Sequence, residues 1–183
     1  AHDVVPSTYE GTSSLPKQIV NGLTDLFNLF GKAAVEDTSP QAEVDPQTVL
    51  ESVKGDFERN YLWTGDVDDA VFDRYCTFQD PTMQFQGLAT YKRNVANLRD
   101  LVDRFVRDAK SELYSAELDA EAGCVRTRWR MTGRLALPWN PRIDVAGRTV
   151  FSYDPEQGNR ITSYDEMWET SAAKALLQII TPG

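Results

Sequence analysis

Apolar positions along this chain recur with a helical period as far as Phe105 and with a period of two beyond Asp108. Asp45-Pro46 reads as a helix cap followed by proline at the first helical position. Val49, Val53 and Phe57 then repeat at four and lead to Tyr61, which predicts a first helix. Asp66, with Asp69 after it, opens a second, short helix whose Val67, Val71 and Tyr75 face one way. Tyr75 to Asp80 predicts a short strand, closed by Asp80-Pro81. After Gly87 comes the clearest helix, with Tyr91, Val95, Leu98, Val102 and Phe105 on its apolar face. Lys92, Arg93, Arg99, Asp100, Asp103 and Arg107 wet the other face.

Strands follow. Leu113 to Leu118 is one, with its turn at Glu121-Ala122-Gly123. Val125, Thr127, Trp129 and Met131 alternate with Arg126, Arg128 and Arg130, the mark of a half-buried strand with one basic face. Pro138-Trp139-Asn140-Pro141 is a loop. Val145, Thr149, Phe151 and Tyr153 make another strand, Pro155 to Asn159 a turn, and Ile161 to Trp168 the return. Ala172 to Ile180 is a short apolar helix. This order predicts an α+β domain in which a curved antiparallel sheet wraps around helices.

The first quarter reads differently. Residues 1–45 hold seven acids and two bases among Ser, Thr, Pro and Gly, so they are expected to form an extended acidic arm, with the α+β domain at 46–183. One apolar island interrupts the arm. Ile19, Leu23, Leu26, Phe27 and Phe30 share one helical face between Pro16 and Gly31, predicting an amphipathic helix over about 15–31. It packs on its own domain, docks on a protein partner or, least expected with only Lys17 and Lys32 beside it, lies on lipid. The chain starts at Ala1 without a methionine, as after removal of a targeting peptide or when a longer chain is cut.

Composition narrows the chemistry. The 183 residues carry 28 acids against 19 bases, a net charge of −9, which disfavours nucleic acid and anionic membrane surfaces. No apolar run is long enough to span a bilayer, so a soluble protein is expected. His2 is the only histidine. A histidine base, an imidazole metal ligand or a Ser–His–Asp relay is therefore excluded from the domain. Cys76 and Cys124 have no histidine to activate them and read as inert small residues. No phosphate loop or calcium-loop spacing occurs, so no metal or cofactor is expected.

Several motifs carry a family resemblance. They are Thr64-Gly65-Asp66, Phe78-Gln79-Asp80-Pro81-Thr82, Phe85-Gln86-Gly87-Leu88 and Tyr91-Lys92, then Leu137-Pro138-Trp139-Asn140-Pro141, Gly147-Arg148-Thr149 and Tyr164-Asp165-Glu166-Met167-Trp168-Glu169. In that order, over about residues 47–180, they resemble the plastid and cyanobacterial family called domain of unknown function 2358. The resemblance implies a branch of the nuclear-transport-factor-2-like (SnoaL-like) superfamily, whose fold is a cone of curved sheet closed by helices. That superfamily holds isomerases, cyclases, pigment-binding domains and interaction modules, so the fold implies a pocket and no single chemistry. The family pattern often has a histidine where Tyr164 stands here.

Five residues are candidates for lining a pocket: Tyr164, Glu166 and Trp168 on one face of the last strand, Asp165 on the other, and Trp129. A carboxylate in an apolar pocket can serve as a base near neutral pH, with tyrosine hydroxyls steadying an oxyanion. For Glu166 the leading expectation is instead an ion pair with Arg126, Arg128 or Arg130, which would put it outside the cone and Asp165 nearer the pocket. Asp80 is expected to hold its own turn. Trp129, Met131, Phe151 and Trp168 are expected to fill the cone, whereas a cavity of about 300 Å³ or more would hold a ligand.

Two functional readings follow. The first is a non-catalytic binding module in which Ile19, Leu23, Leu26, Phe27, Phe30 and Trp139 meet a protein partner. Here the resemblance implies a chloroplast location, stromal or thylakoid-associated, and an accessory subunit of a photosynthetic complex. The second is a small-molecule site, for a pigment, a lipid or acid–base chemistry on Glu166 or Asp165 with Tyr164. A homodimer through the open sheet face is a further expectation.

Overall fold

The computed structural model describes residues 40–183, apart from the side chains of residues 97, 98, 100 and 101. The predicted helix over 15–31, with Ile19, Leu23, Leu26, Phe27 and Phe30, lies outside the described residues, as does the Leu98 side chain. Helix α1 (Pro46–Glu58) starts where Asp45 accepts a hydrogen bond from the Gln47 N–H with Pro46 at the first position. It buries Val49, Leu50, Val53 and Phe57 against the sheet. Five residues before α1 the chain is already tied down. Gln41 donates to the Phe72 carbonyl at 2.9 Å, and the Val44 N–H to the Gly158 carbonyl at 2.9 Å. The folded unit thus reaches back past Asp45 into the stretch expected to be arm.

The fourfold repeat through Tyr61 predicts one continuous helix, but the chain breaks it. Asn60 is left-handed (φ 63°), and a four-residue helix α2 (Tyr61–Thr64) starts after it. The acids at 66–69 build no α-helix. They lead to a 3-10 turn at Asp69–Val71, from which strand β1 (Phe72–Gln79) runs, earlier than the predicted start at Tyr75. A bulge between Phe72 and Thr77 turns Tyr75 outward, 55% exposed. A three-residue strand, β2 (Gln84–Gln86), pairs back on β1 and is too short to announce itself by alternation.

Helix α3 (Leu88–Phe105) and the long strand β3 (Val106–Asp119) follow without a linker, so β3 begins well before Leu113. Strands β4 (Cys124–Leu135), β5 (Arg142–Asp154) and β6 (Arg160–Trp168) complete an antiparallel meander, and α4 (Ala172–Ile180) ends the fold. The sheet order is β2-β1-β6-β5-β4-β3, with β1 parallel to β6 and every other pair antiparallel. Helix α4 takes over beside β5 where β6 stops. Gln178 bonds both the N–H and the carbonyl of Asp144, as a strand residue would.

Helices α1 to α3 sit on one face of the curved sheet. That face carries Val125, Trp129, Val145, Phe151 and Tyr164 in the core. The opposite face carries the arginines, each with a local acid: Arg126 with Asp119, Arg128 with Glu169, and Arg130 with both oxygens of Asp144 at 2.7 Å. Trp129 lies flat against β5 because residue 147 is glycine. A Cβ there would stand 2.7 Å from the Trp129 ring and 2.6 Å from the Met167 carbonyl. Gly147→Ala is therefore expected to cost about 1–3 kcal/mol through overpacking. Urea unfolding checks this, and an unchanged midpoint would show that the ring has room to move.

Candidate functional site

At the wide end of the cone, α2, α3, the β1–β2 turn and β6 converge. Gly65 ends α2 in the left-handed region (φ 62°), its N–H bonding the Tyr61 carbonyl at 2.6 Å. A Cβ at Gly65 would fall 2.1 Å from Val95 of α3, so the glycine also permits the close approach of the two helices. Asn60 Nδ2 donates to the Ala109 carbonyl at 3.1 Å and Trp63 Nε1 to the Lys110 carbonyl at 3.3 Å, which fasten α2 to β3. Tyr61 and Trp63 are thereby held over the sheet.

On β6, Tyr164, Glu166 and Trp168 share the concave face, with Glu166 opposite Thr149 and Tyr164 opposite Phe151. Glu166 is 8% exposed. Its two oxygens are each engaged. Trp168 Nε1 donates to Oε1 at 2.7 Å, and the Tyr164 hydroxyl donates to Oε2. The Tyr61 hydroxyl lies 3.3 Å from that of Tyr164. Behind them a cavity of about 270 Å³ is lined by Tyr61, Leu62, Trp63, Gly65, Phe78, Gln79, Asp80, Met83, Phe85, Tyr91, Asn94, Val95, Met131, Tyr164 and Glu166.

Burial raises the Glu166 pKa from 4.5 to about 7, and the nearby negative charge of Asp80 adds to the rise, against the hydrogen bonds from Tyr164 and Trp168. Burial and the Glu166 charge push the Tyr61, Tyr91 and Tyr164 phenols above their usual value, so they remain neutral O–H donors. Asp80 is raised as well, by burial, against hydrogen bonds to its Oδ1 from the Thr82 N–H and hydroxyl (each 2.6 Å) and the Met83 N–H (2.9 Å). The Asp80 side chain does hold its turn, and it also lines the cavity.

Several expectations need correction. Glu166 makes no ion pair with the arginine stripe, because Arg126, Arg128 and Arg130 project from the other face and find Asp119, Glu169 and Asp144 there. Asp165, not Glu166, is turned away from the cavity, and it accepts from Gln79 Nε2 at 3.1 Å. Trp129 is core rather than lining, with its Nε1 donating to Thr149 Oγ1 at 2.9 Å. Trp129 and Phe151 fill the depth of the cone as expected, while a hollow of about 270 Å³, just short of the size expected of a ligand site, remains beside Met131 at its wide end. Trp168 fixes the carboxyl without lining the hollow. Trp139 is 41% exposed and donates to the Ile179 carbonyl at 2.8 Å, which fastens its loop to α4. Sequence reasoning missed Tyr61, Trp63, Phe78, Phe85, Tyr91 and Asn94 as lining residues. The four motifs that resemble the family between residues 64 and 92 were the available signal, since all of them border this cavity.

Cys76 and Cys124 are unpaired and buried, and burial raises both thiols. Among the described residues no group of three His, Cys, Asp or Glu side chains is placed to hold a metal ion. No helix among them is long and apolar enough to cross a membrane.

A curved six-stranded sheet closed by helices over a cavity at its wide end defines an NTF2-like cone with an acidic pocket. Residues 47–163 match the model of the family described as an uncharacterized conserved protein (DUF2358), and the chain belongs to that family. Among solved structures, TsrD from Streptomyces laurentii superposes with a TM-score of 0.51 at 14% identity, covering 73% of this chain and 95% of that one. An NTF2-like protein of unknown function from Exiguobacterium sp. 255-15 matches at 15% identity and a TM-score of 0.49, covering 66% of this chain and 99% of that one. A protein described as a SnoaL-like polyketide cyclase from Jannaschia sp. CCS1 matches at 16% identity and a TM-score of 0.49, covering 81% of this chain and 96% of that one. No curated protein matches the chain.

Proposed function

We propose that the chain binds a small, largely apolar molecule in the Glu166 cavity and moves a proton on it, with Glu166 as the base and then the acid. One observation carries this reading: a carboxyl buried in an apolar hollow, with its pKa lifted to about 7, is divided between its two protonation states at neutral pH. The carboxylate takes a proton from carbon, the electron pair moves toward an adjacent electron-withdrawing group, and the same carboxyl returns the proton. Tyr61 and Tyr91 line the cavity, and their phenols stay neutral donors that could steady the charge that develops. The isomerase or cyclase class of reaction is compatible with this geometry.

Deuterium exchange into small ketones and aminoketones in heavy water, followed by NMR, tests the reading without knowledge of the natural substrate. General-base catalysis is worth roughly 10²–10⁴-fold, so Glu166→Gln is expected to slow exchange by at least about 100-fold. Exchange that follows the wild-type protein but survives Glu166→Gln would contradict it.

A second reading, attachment to a larger assembly such as a plastid photosynthetic complex, draws support from exposed apolar residues around α4. Leu177 is 53% and Ile180 69% exposed, three residues apart on that helix, with Trp139 near its end. The two readings use different residues and do not exclude each other.

A further inference from the structure

We propose that residues 15–31 form a helix that covers the outer side of α4 in the same chain, antiparallel to it, with Ile19, Leu23, Leu26, Phe27 and Phe30 as the contact face. This goes beyond both readings above. The surface that the second reading offers to an outside partner is held by the chain's own arm when the chain is alone.

Helix α4 is apolar on both sides. Lys174 is its one charged residue, and Ala172 and Ala175 are its buried side. Ala173, Leu177 and Ile180, at i, i+4 and i+7, form a line on the opposite side, and all three are exposed. Trp139, bonded to the Ile179 carbonyl, widens this patch. Seven large apolar side chains are exposed among the described residues. Four of them, Trp139, Leu177, Ile179 and Ile180, gather here, while Tyr75, Phe105 and Tyr114 stand on other elements. A helix that is apolar all round is normally covered, and a gathered apolar patch marks a docking surface.

The arm supplies a matching face. Around a helix over 15–31, the five apolar residues fall on one side and Gln18, Asn21, Asp25 and Asn28 on the other. Such a helix is about 25 Å long against about 14 Å for α4, enough to cover α4 and pass over Trp139. Charge agrees with the pairing. Helix α4 has a lysine and no acid, whereas residues 1–39 hold five acids and two bases.

The point of attachment sets reach and direction. Gln41 on the Phe72 carbonyl and Val44 on the Gly158 carbonyl hold residues 41–44 beside the start of β1 and just before β6. From there β6 runs nine residues, about 30 Å, to Trp168, and α4 opens at Ala172. The stretch 32–40 extends at most about 30 Å. The Phe30 end therefore meets the first turn of α4, and the Ile19 end points toward Ile180 and Trp139.

Photo-cross-linking of the full chain tests the proposal. Leu177→Cys labelled with benzophenone maleimide puts a photoreactive group on the patch, while Cys76 and Cys124 are buried and stay unlabelled. Peptide mass spectrometry after irradiation is expected to find the label joined to residues 15–31, most often near Leu23, in a product of monomer mass. The same label in Tyr114→Cys, on β3, is expected to capture none of that stretch. Covalent dimers from Leu177→Cys would place a second copy on α4 and overturn the proposal. So would any pattern that leaves residues 15–31 unjoined, or equal capture from Tyr114→Cys. Hydrogen exchange gives an independent readout. Leu23→Asp together with Phe27→Asp is expected to speed exchange of the α4 amides at least about tenfold, through lost apolar contact, with the β4 amides unaffected. Unchanged α4 rates overturn the proposal. Neither measurement touches Glu166, so failure here leaves the cavity reading standing.

Discussion

Replacing Glu166 by glutamine is expected to make the protein more stable at pH 8, by about 3 kcal/mol. The figure follows from a carboxyl whose pKa stands at 4.5 in the unfolded chain and about 7 in the fold, at roughly 1.4 kcal/mol per pH unit. The raised value means that the folded state holds the proton more tightly than the unfolded state does. Below pH 4.5 both states are protonated and the stability is fully present. As pH climbs toward 7 the unfolded chain ionises first, and stability falls. Above 7 the fold must hold a desolvated charge. Glutamine keeps the side-chain oxygen that accepts from Trp168 and removes that charge. Urea unfolding at pH 5 and pH 8 checks the claim: the variant should gain most at pH 8 and only about 1 kcal/mol at pH 5. Asp56, 1% exposed and raised to about 7 chiefly by burial, acts in the same direction, so Glu166→Gln is expected to flatten the pH dependence only in part. A variant less stable than wild type at pH 8 would show that Glu166 is an ordinary structural acceptor. A group that lowers the stability of the fold where it sits is characteristic of a site shaped for function.

The second large effect lies behind the site. Trp129→Ala is expected to cost about 3–5 kcal/mol, the range for emptying a buried large aromatic. Trp129 is 1% exposed, rests against Gly147, and donates to Thr149 Oγ1 at 2.9 Å. The truncation leaves a void and deprives that hydroxyl of its donor. Thr149 stands opposite Glu166 on β5, so the wall behind the carboxyl should loosen too. Denaturant unfolding reads the loss. A change below about 1 kcal/mol would mean that the ring is not the packing centre of the sheet. Trp129→Phe, which keeps most of the volume, is expected to lose less.

Much of the architecture was legible because its elements repeat for long enough. The helical face through Tyr91, Val95 and Val102, the alternation of Val125 to Met131 against three arginines, and the span of α4 each carry several turns or pairs of pattern. The parts that build the site do not. Helix α2 is one turn long, and Tyr61 continues the fourfold repeat of α1, so the break at Asn60 is hidden. It depends on one left-handed residue held by the Ala109 carbonyl across the sheet. Strand β2 is three residues.

The facing of β6 was illegible for a different reason. A bulge between Ser152 and Tyr153 places both Ile161 and Tyr164 among the core, and Met167 is buried on the other face. Alternation then no longer tells inside from outside. The arginine stripe does need same-face acids, but Asp119, Glu169 and Asp144 supply them, and nothing in the strand's own pattern says which acids will be nearest. The pairing of Glu166 with Tyr164 two residues earlier was visible as shared parity; the contact of the Tyr164 hydroxyl with that of Tyr61, 103 residues away, was not.

The account turns on the state of one carboxyl. Carbon-13 NMR titration of the side-chain carboxyls, with the Glu166 signal assigned by its disappearance in Glu166→Gln, measures that state directly. A midpoint near 7 is predicted. A midpoint near 4.5, the value of a carboxyl in water, would contradict it.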